Sequence, residues 1–322
     1  MLATIVIRTL NEAEYLADLL VMIGRQKTNG LDHEVVLVDS GSTDGTIETA
    51  RRHGCRITTI DKRDFSFGRS LNRGCEMAKG DILVFISGHC IPVDEHWLQT
   101  LCQPVFDGVV SYAYGRQIGD DDSHFSECRI FAKHYPKANL IPQEGFFCNN
   151  ANAALLKTAW AARRFNEDLT GLEDMELAKW LLANDHRLGY VAQAPVFHHH
   201  RETWSLVRVR FEREAIALQQ IMPEVHLSRF DVVRYILLSV FLDWKSALRH
   251  GKLLANWKSI LRYRISQYIG SYAGSNNQRH LSKSRKEKFF YPAVDESDDE
   301  NESLKPHRRT PPHEGEQPAD KG

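Results

Sequence analysis

Val36-Leu-Val-Asp-Ser-Gly-Ser-Thr-Asp-Gly-Thr46 decides the fold. Apolar, mostly β-branched residues lead into Asp39, and six polar or glycine residues then break the run. An amphipathic stretch over 45–53 follows. A buried strand that stops at a polar turn and passes into a helix is the repeating step of an α/β sheet. The same step lies on both sides. Residues 3–7, 34–38, 56–60 and 82–86 read as buried strands, and 12–25, 45–53 and 68–78 read as the helices between them. Connections this short require parallel strands with right-handed crossovers.

Ligands of such sheets bind beyond the carboxyl ends of the strands. Polar residues gather there: Arg8-Thr-Leu-Asn-Glu12 after the first strand, Asp39 to Asp44 after the second, and Ser87-Gly-His-Cys-Ile-Pro92 after the fourth. No G-x-G-x-x-G follows the first strand and no G-x-x-x-x-G-K-[ST] occurs, which disfavours a dinucleotide-binding domain and a P-loop enzyme. The Asp39 carboxylate stands directly after a buried strand, where it can accept from the N–H of a base or the hydroxyls of a ribose, with Thr9, Asn11 and Glu12 beside it and Gly41 in the turn. Ser42 and Thr43 suit a helix cap at least as well as Asp39 does, and Asp44 suits capping of the helix at Gly45.

The 322 residues are 42% hydrophobic, 26% charged and 10% aromatic, which excludes a wholly disordered chain, a collagen-like repeat and a small disulfide scaffold. A net charge of −1 gives no chain-wide pull toward nucleic acid, and none is expected as a partner. Charge is nevertheless zoned. Residues 201–292 carry 17 Lys and Arg against 7 Asp and Glu, whereas 293–322 carry 4 against 9. The acidic tail has too few apolar residues to offset its ordering entropy and is expected to be disordered. The basic zone reads as three helices over 204–221, 229–250 and 253–269, either packed on the core with a solvated cationic face or forming a platform for a membrane surface. The longest apolar stretch, 235–242, is well short of the ~20 residues a membrane span needs. Six cysteines without a C-x-x-C pair, and no basic-flanked leader at Met1, make a reducing cytoplasm the expectation, with peripheral contact to the inner face of the membrane.

The chain resembles the family-2 nucleotide-sugar glycosyltransferases, which have a GT-A fold. Ile5-Val-Ile-Arg-Thr-Leu-Asn-Glu12 is similar to that family's T-x-N-E start, and 36–46 to its V-D-x-G-S-x-D-G-T signature. Asp64-Phe-Ser-Phe-Gly-Arg-Ser-Leu-Asn-Arg-Gly74 with Ala78-Lys-Gly-Asp81 resembles the rhamnosyltransferase-type branch. The resemblance covers about 3–204. It implies an α/β GT-A domain over 1–204 with a Rossmann-like, mostly parallel sheet flanked by helices; a basic helical extension over 205–292 and the tail over 293–322 complete the expected organisation.

The resemblance also implies roles. Arg69 and Asn72 would line the donor site, and Asp81 would contact the nucleotide. The E-D pair Glu173-Asp174 would stand at the acceptor mouth with Asp174 as general base and Glu176 as the fallback. The loop Gly145-Phe-Phe-Cys-Asn-Asn-Ala-Asn152 would line the sugar pocket. The chain departs from the family at the D-x-D-like triplet, which reads Ser87-Gly88-His89. Aspartate there would supply hard oxygen for Mg²⁺ or Mn²⁺, whereas a histidine nitrogen suits Mn²⁺ better, or binds the diphosphate as a cation with no metal. Dependence on a divalent cation is therefore open. Along Tyr190-Val-Ala-Gln-Ala-Pro-Val-Phe-His-His-His200, a period of two places His198 and His200 on one face and His199 on the other. His89 with His198 or His200 would form a two-nitrogen site at the metal or diphosphate.

The expected function is thus an inverting glycosyltransferase acting on a nucleoside diphosphate sugar of dTDP or UDP type, with a glycan or lipid-linked acceptor, in cell-surface polysaccharide or glycan synthesis. Two alternatives stand beside it: a non-catalytic scaffold that keeps the fold, and a nucleotidyltransferase. The latter normally has a glycine-rich phosphate loop, and Arg8–Glu12 contains no glycine.

Overall fold

The computed structural model describes residues 1–120, 122–200, 202–276 and Phe289. The acidic tail expected over 293–322 lies outside the described residues. The elements run β1 (Leu2–Thr9), α1 (Ala13–Gly24), β2 (Asp32–Asp39), α2 (Thr46–Arg52), β3 (Arg56–Thr59), α3 (Phe67–Met77), β4 (Ile82–Ser87) and β5 (Cys90–Pro92). They continue with α4 (Trp97–Phe106), β6 (Tyr112–Ile118), α5 (Phe125–His134), β7 (Asn152–Leu156), α6 (Lys157–Ala162), α7 (Glu173–Ala183) and β8 (Leu188–His198). Three long helices follow: α8 (Trp204–Ile221), α9 (Arg229–Arg249) and α10 (Leu253–Ser275).

One eight-stranded sheet has the order β3-β2-β1-β4-β7-β6-β8-β5, with β7 and β5 running against the other six. The expected mostly parallel sheet flanked by helices is present. Alternation along β1 explains the two layers. Ile5 and Ile7 face the side packed by Leu16, Leu19 and Ile23 of α1, and Val6 faces the side packed by Leu71 and Cys75 of α3. Register then aligns the functional edge: Thr9 lies opposite Asp39, and Arg8 opposite Ser87.

The last three helices are fastened to this sheet domain. Arg264 of α10 donates from Nε to Asp243 of α9 at 2.8 Å, and the same carboxylate accepts from the Ser126 hydroxyl of α5 at 2.7 Å, all three residues being buried. Helices α8 and α10 touch backbone to backbone. A Cβ built on Gly270 would lie 2.3 Å from the carbonyl oxygen of Arg208, and one on Gly274 would lie 2.3 Å from that of Glu212. Only glycine fits at those two crossings.

Candidate active site

A cavity of about 1270 Å³ opens at the carboxyl edge of the sheet. Its floor is Arg8 and Thr9 of β1, Ser40, and Ser87 at the end of β4; its walls come from α5, α7, the end of β8 and the three C-terminal helices.

Asp174 is the buried acid of this cavity. Leu172 takes a left-handed conformation (φ 56°) that turns the chain into α7 and places Glu173 and Asp174 in its first turn, both buried. One Asp174 oxygen accepts from the Asn150 backbone N–H at 2.8 Å and the other from the Met175 N–H at 2.8 Å. Tyr112 donates its hydroxyl to the Asn150 side chain, so the loop that holds Asp174 is itself held. Burial, with the Glu173 carboxylate beside it, outweighs these hydrogen bonds and pushes the Asp174 carboxyl up to about 7. Glu176, the alternative base, is ion-paired with Arg163.

Three histidines converge across the cavity. The Nε2 atoms of His89 and His198 are 3.1 Å apart, and one ring nitrogen each of His89, His198 and His200 lies within 4.8 Å of the others. Sequence spacing pointed to His89 with one partner; the structure brings all three together. Each Nδ1 meets an oxygen: Glu12 for His89 at 2.9 Å, Gln117 for His198 at 2.6 Å, and Glu127 for His200 at 2.8 Å. Acceptors on Nδ1 leave Nε2 of His89 and His198 as facing lone pairs, an arrangement that only a shared proton or a cation satisfies. Burial and the neighbouring histidines hold His198 well below its ordinary value, so it is neutral. Burial alone would lower His89 too, but the Glu12 carboxylate reverses the direction and holds it above.

Glu127 and Arg210 belong to this site and had no motif to announce them. The Glu127 carboxylate is buried yet held at about 2, because His200 and Arg210 outweigh its desolvation. Arg210 also reaches Glu202 at 2.7 Å, and Glu127, His200 and Glu202 make a second cluster able to ligate a metal. The signal available was the dense mixed-sign run Arg208-Val-Arg-Phe-Glu-Arg-Glu214, unusual for a solvated face. His199 also lines the cavity but stands outside the cluster, paired with Asp120 and stacked on Tyr15.

Of the expected donor contacts, Thr9, Glu12, Ser87 and His89 line the cavity, and six residues are placed elsewhere. Asp39 is fully buried, and its carboxylate accepts from the hydroxyls of Thr9 and Ser42 and from the N–H groups of Gly41 and Ser42. It shapes the turn, where Gly41 has a φ of 99°, and holds Thr9 in place. Asn11 ties its own turn to that of Ser42 and Thr43. Asp44 bonds the N–H groups of Ala13 and Thr46 at the starts of two helices, the capping role its position suggested.

Arg69 pairs with Glu167. Asn72 is buried with both ends of its amide in use, by Phe165 and Glu167 on one side and Trp160 and Phe165 on the other. These two residues clamp the loop around Phe165 and Glu167 and turn away from the cavity. Asp81 sits at the amino end of β4, where its N–H bonds Leu2, six residues or about 20 Å from Ser87 at the opposite edge. It cannot meet a ligand bound at that edge.

Residues 4–161 match the family model described as glycosyl transferase family 2. The O-antigen chain rhamnosyltransferase WbaN of Salmonella anatum is 25% identical over 189 residues, covering 55% of this chain and 60% of its own length. The O-antigen chain rhamnosyltransferase RfbN of Salmonella typhimurium is 24% identical over 212 residues, covering 62% and 67%. The chain thus matches about three-fifths to two-thirds of these relatives' lengths. Among solved structures, the mannosyltransferase PcManGT from Pyrobaculum calidifontis, in complex with GDP-Man and Mn²⁺, superposes with a TM-score of 0.59 at 17% identity, covering 86% of this chain and 88% of its own. That likeness is one of fold, and the fold is GT-A.

Proposed function

We propose that this chain, whose residues 4–161 form a glycosyl transferase family 2 domain, transfers a sugar from a nucleoside diphosphate to an acceptor hydroxyl with inversion at the anomeric carbon. The observation that carries this reading is Asp174, a buried carboxylate of raised proton affinity in the same cavity as three convergent imidazoles. The acceptor oxygen attacks the anomeric carbon as the bond to the diphosphate breaks, the bonding electron pair leaves with the diphosphate, and the acceptor proton passes to Asp174. A scaffold that bound without turnover would have no use for a carboxylate kept buried at a cost to stability.

The histidine cluster fits a divalent cation. His89 and His198 offer Nε2, their Nδ1 atoms are fixed by oxygen acceptors, and His200 completes the set. Nitrogen donors suit Mn²⁺ and softer ions and suit Mg²⁺ poorly. A bound cation there would stabilise charge on the departing diphosphate; without one, the positive charge of protonated His89 would serve the same group. The relatives' names, O-antigen chain rhamnosyltransferase, support a dTDP- or UDP-linked deoxysugar or hexose as donor and a surface glycan as product.

A thermal-shift screen of nucleoside diphosphates and their sugars, with Mn²⁺, Mg²⁺ or chelator, tests the reading. Ligand at ~100-fold over Kd adds about 2.7 kcal/mol, a rise of roughly 4 °C in Tm for a chain of this size. The expected order is Mn²⁺ above Mg²⁺. No shift with any nucleoside diphosphate would overturn the proposal.

Helix α9 supports a lipid-linked acceptor. Phe230, Val233, Leu237 and Phe241 form an exposed apolar row along it, with Phe230 78% and Leu237 66% accessible, beside exposed Arg229, Arg234, Lys245 and Arg249. Tyr235, Leu238 and Leu242 of the same helix line the cavity. Among the described residues, no helix is long and apolar enough to cross a membrane. This face would rest on an anionic leaflet, each cation near the surface contributing about 1 kcal/mol. The protein should co-sediment with phosphatidylglycerol vesicles at low salt and be released at high salt, and the Leu237→Glu, Phe241→Glu double variant should stay in the supernatant. Equal co-sedimentation of the double variant would remove α9 from the contact.

A further inference from the structure

Two arginines in the cavity make no direct ion pair among the described residues. Arg8 ends β1 and Arg213 lies on α8, outside the family-2 domain. Their guanidinium carbons lie 4.7 Å and 4.6 Å from the centre of the same Phe67 ring, which keeps the two charges within about 9 Å of each other. Among the described residues, neither guanidinium has a carboxylate within salt-bridge distance or a hydrogen-bond acceptor. Nη1 of Arg8 and Nε of Arg213 are buried without a partner. Arg210, three residues earlier on α8, differs in being bridged through Nη2 to both Glu127 and Glu202, although its own Nε is likewise without a partner.

Buried donors of a charged group left unpaired are costly, and two like charges so close add to the cost. Burial lowers the Arg213 guanidinium below its ordinary value. The location says what relieves the strain. Arg8 and Arg213 line one cavity with the proposed base and the histidine cluster; the charge of Arg8 is felt at both Asp174 and His89, and Arg213 feels Glu214, Glu202 and Glu173. The leaving group of a displacement with Asp174 as base departs within that cavity.

We propose that Arg8 and Arg213 hold the diphosphate of the donor, with Phe67 as the spacer that sets their separation, and that α8 therefore contributes a catalytic residue from outside the family domain. This rests on the function proposed above. As the anomeric C–O bond breaks, its electron pair passes to the phosphate oxygen and the diphosphate gains one negative charge; the two guanidiniums meet that charge with hydrogen bonds, and no proton moves. Guanidinium donors suit phosphate oxygens in number and geometry.

Isothermal calorimetry with UDP and UMP, and with dTDP and dTMP, on the full chain tests the assignment. The unsubstituted protein should bind its preferred diphosphate at least about tenfold tighter than the matching monophosphate. Arg213→Gln should remove most of that difference while leaving monophosphate affinity and Tm close to the original, and Arg213→Lys should restore part of it. Arg8→Gln should act in the same direction, which keeps the test informative if one variant fails to fold. A ratio of diphosphate to monophosphate affinity unchanged in both glutamine variants would overturn the clamp and leave the proposed function standing. Absence of any nucleotide binding by the unsubstituted protein would overturn both.

Discussion

Asp174→Asn is expected to lower sugar transfer by roughly 10²–10⁴-fold while nucleoside diphosphate affinity changes little, because the amide keeps the shape of the site and loses only the ability to take a proton. The pH dependence identifies the group. Transfer by the unsubstituted protein should climb as pH rises through about 7, where the buried carboxyl ionises. Stability should move the other way. A carboxyl raised from 3.8 to about 7 holds its proton more tightly in the folded chain, so its stabilising contribution is full below 3.8 and is lost as pH rises through 7. The asparagine variant has no such titration, and its Tm should fall less than that of the unsubstituted protein over this window. Near-normal turnover in the variant would remove Asp174 from the mechanism.

His198→Ala is expected to cost ~10²-fold or more in transfer, the scale seen when a group that stabilises transition-state charge is removed. His198 is the neutral, buried centre of the cluster, in contact with His89 and in ring contact with His200. Its loss should also weaken Mn²⁺ binding about 10–100-fold in calorimetry performed with a nucleoside diphosphate present. If transfer falls while Mn²⁺ affinity holds, the cluster serves the diphosphate through the charge of His89 and not through a metal. Unchanged transfer would show that the histidines stand apart from the reaction.

Much of this arrangement was legible in the sequence because the informative signal is periodic or local. Short buried β-branched runs separate the strands of the first hundred residues from the helices with their period near 3.6, and polar residues after β1, β2 and β4 mark the functional edge. A period of two joined His198 with His200, which do meet, while His199 lines the same cavity with Asp120 and Tyr15 as its partners. What could not be read was which partner a polar side chain finds. Asn72 and Arg69 have residue types suited to a diphosphate, but asparagine and arginine serve equally well to tie down a neighbouring loop, and the chain segment they bind lies more than ninety residues away. Asp81 rested on the resemblance alone, although its place just before the strand at 82–86 already sets it at the edge opposite Ser87. In the basic zone, charge counts were blind to orientation: Arg210 and Arg213 turn inward on α8 while Arg229 and Arg234 face out on α9.

The crossing of α8 over α10 at Gly270 and Gly274 bears on how variation in this protein should be judged. Neither glycine is near Asp174 in the chain, and neither carries a chemical group, so a survey ranking positions by their distance from the reaction would pass over both. Yet any side chain there displaces α8, which carries Arg210 and Arg213 into the cavity. Damage at these positions would surface as weakened donor affinity, a symptom that points an investigator to the wrong part of the molecule. It also means that trimming the chain to its recognisable family domain would discard a wall of the site along with the helices that hold that wall in place.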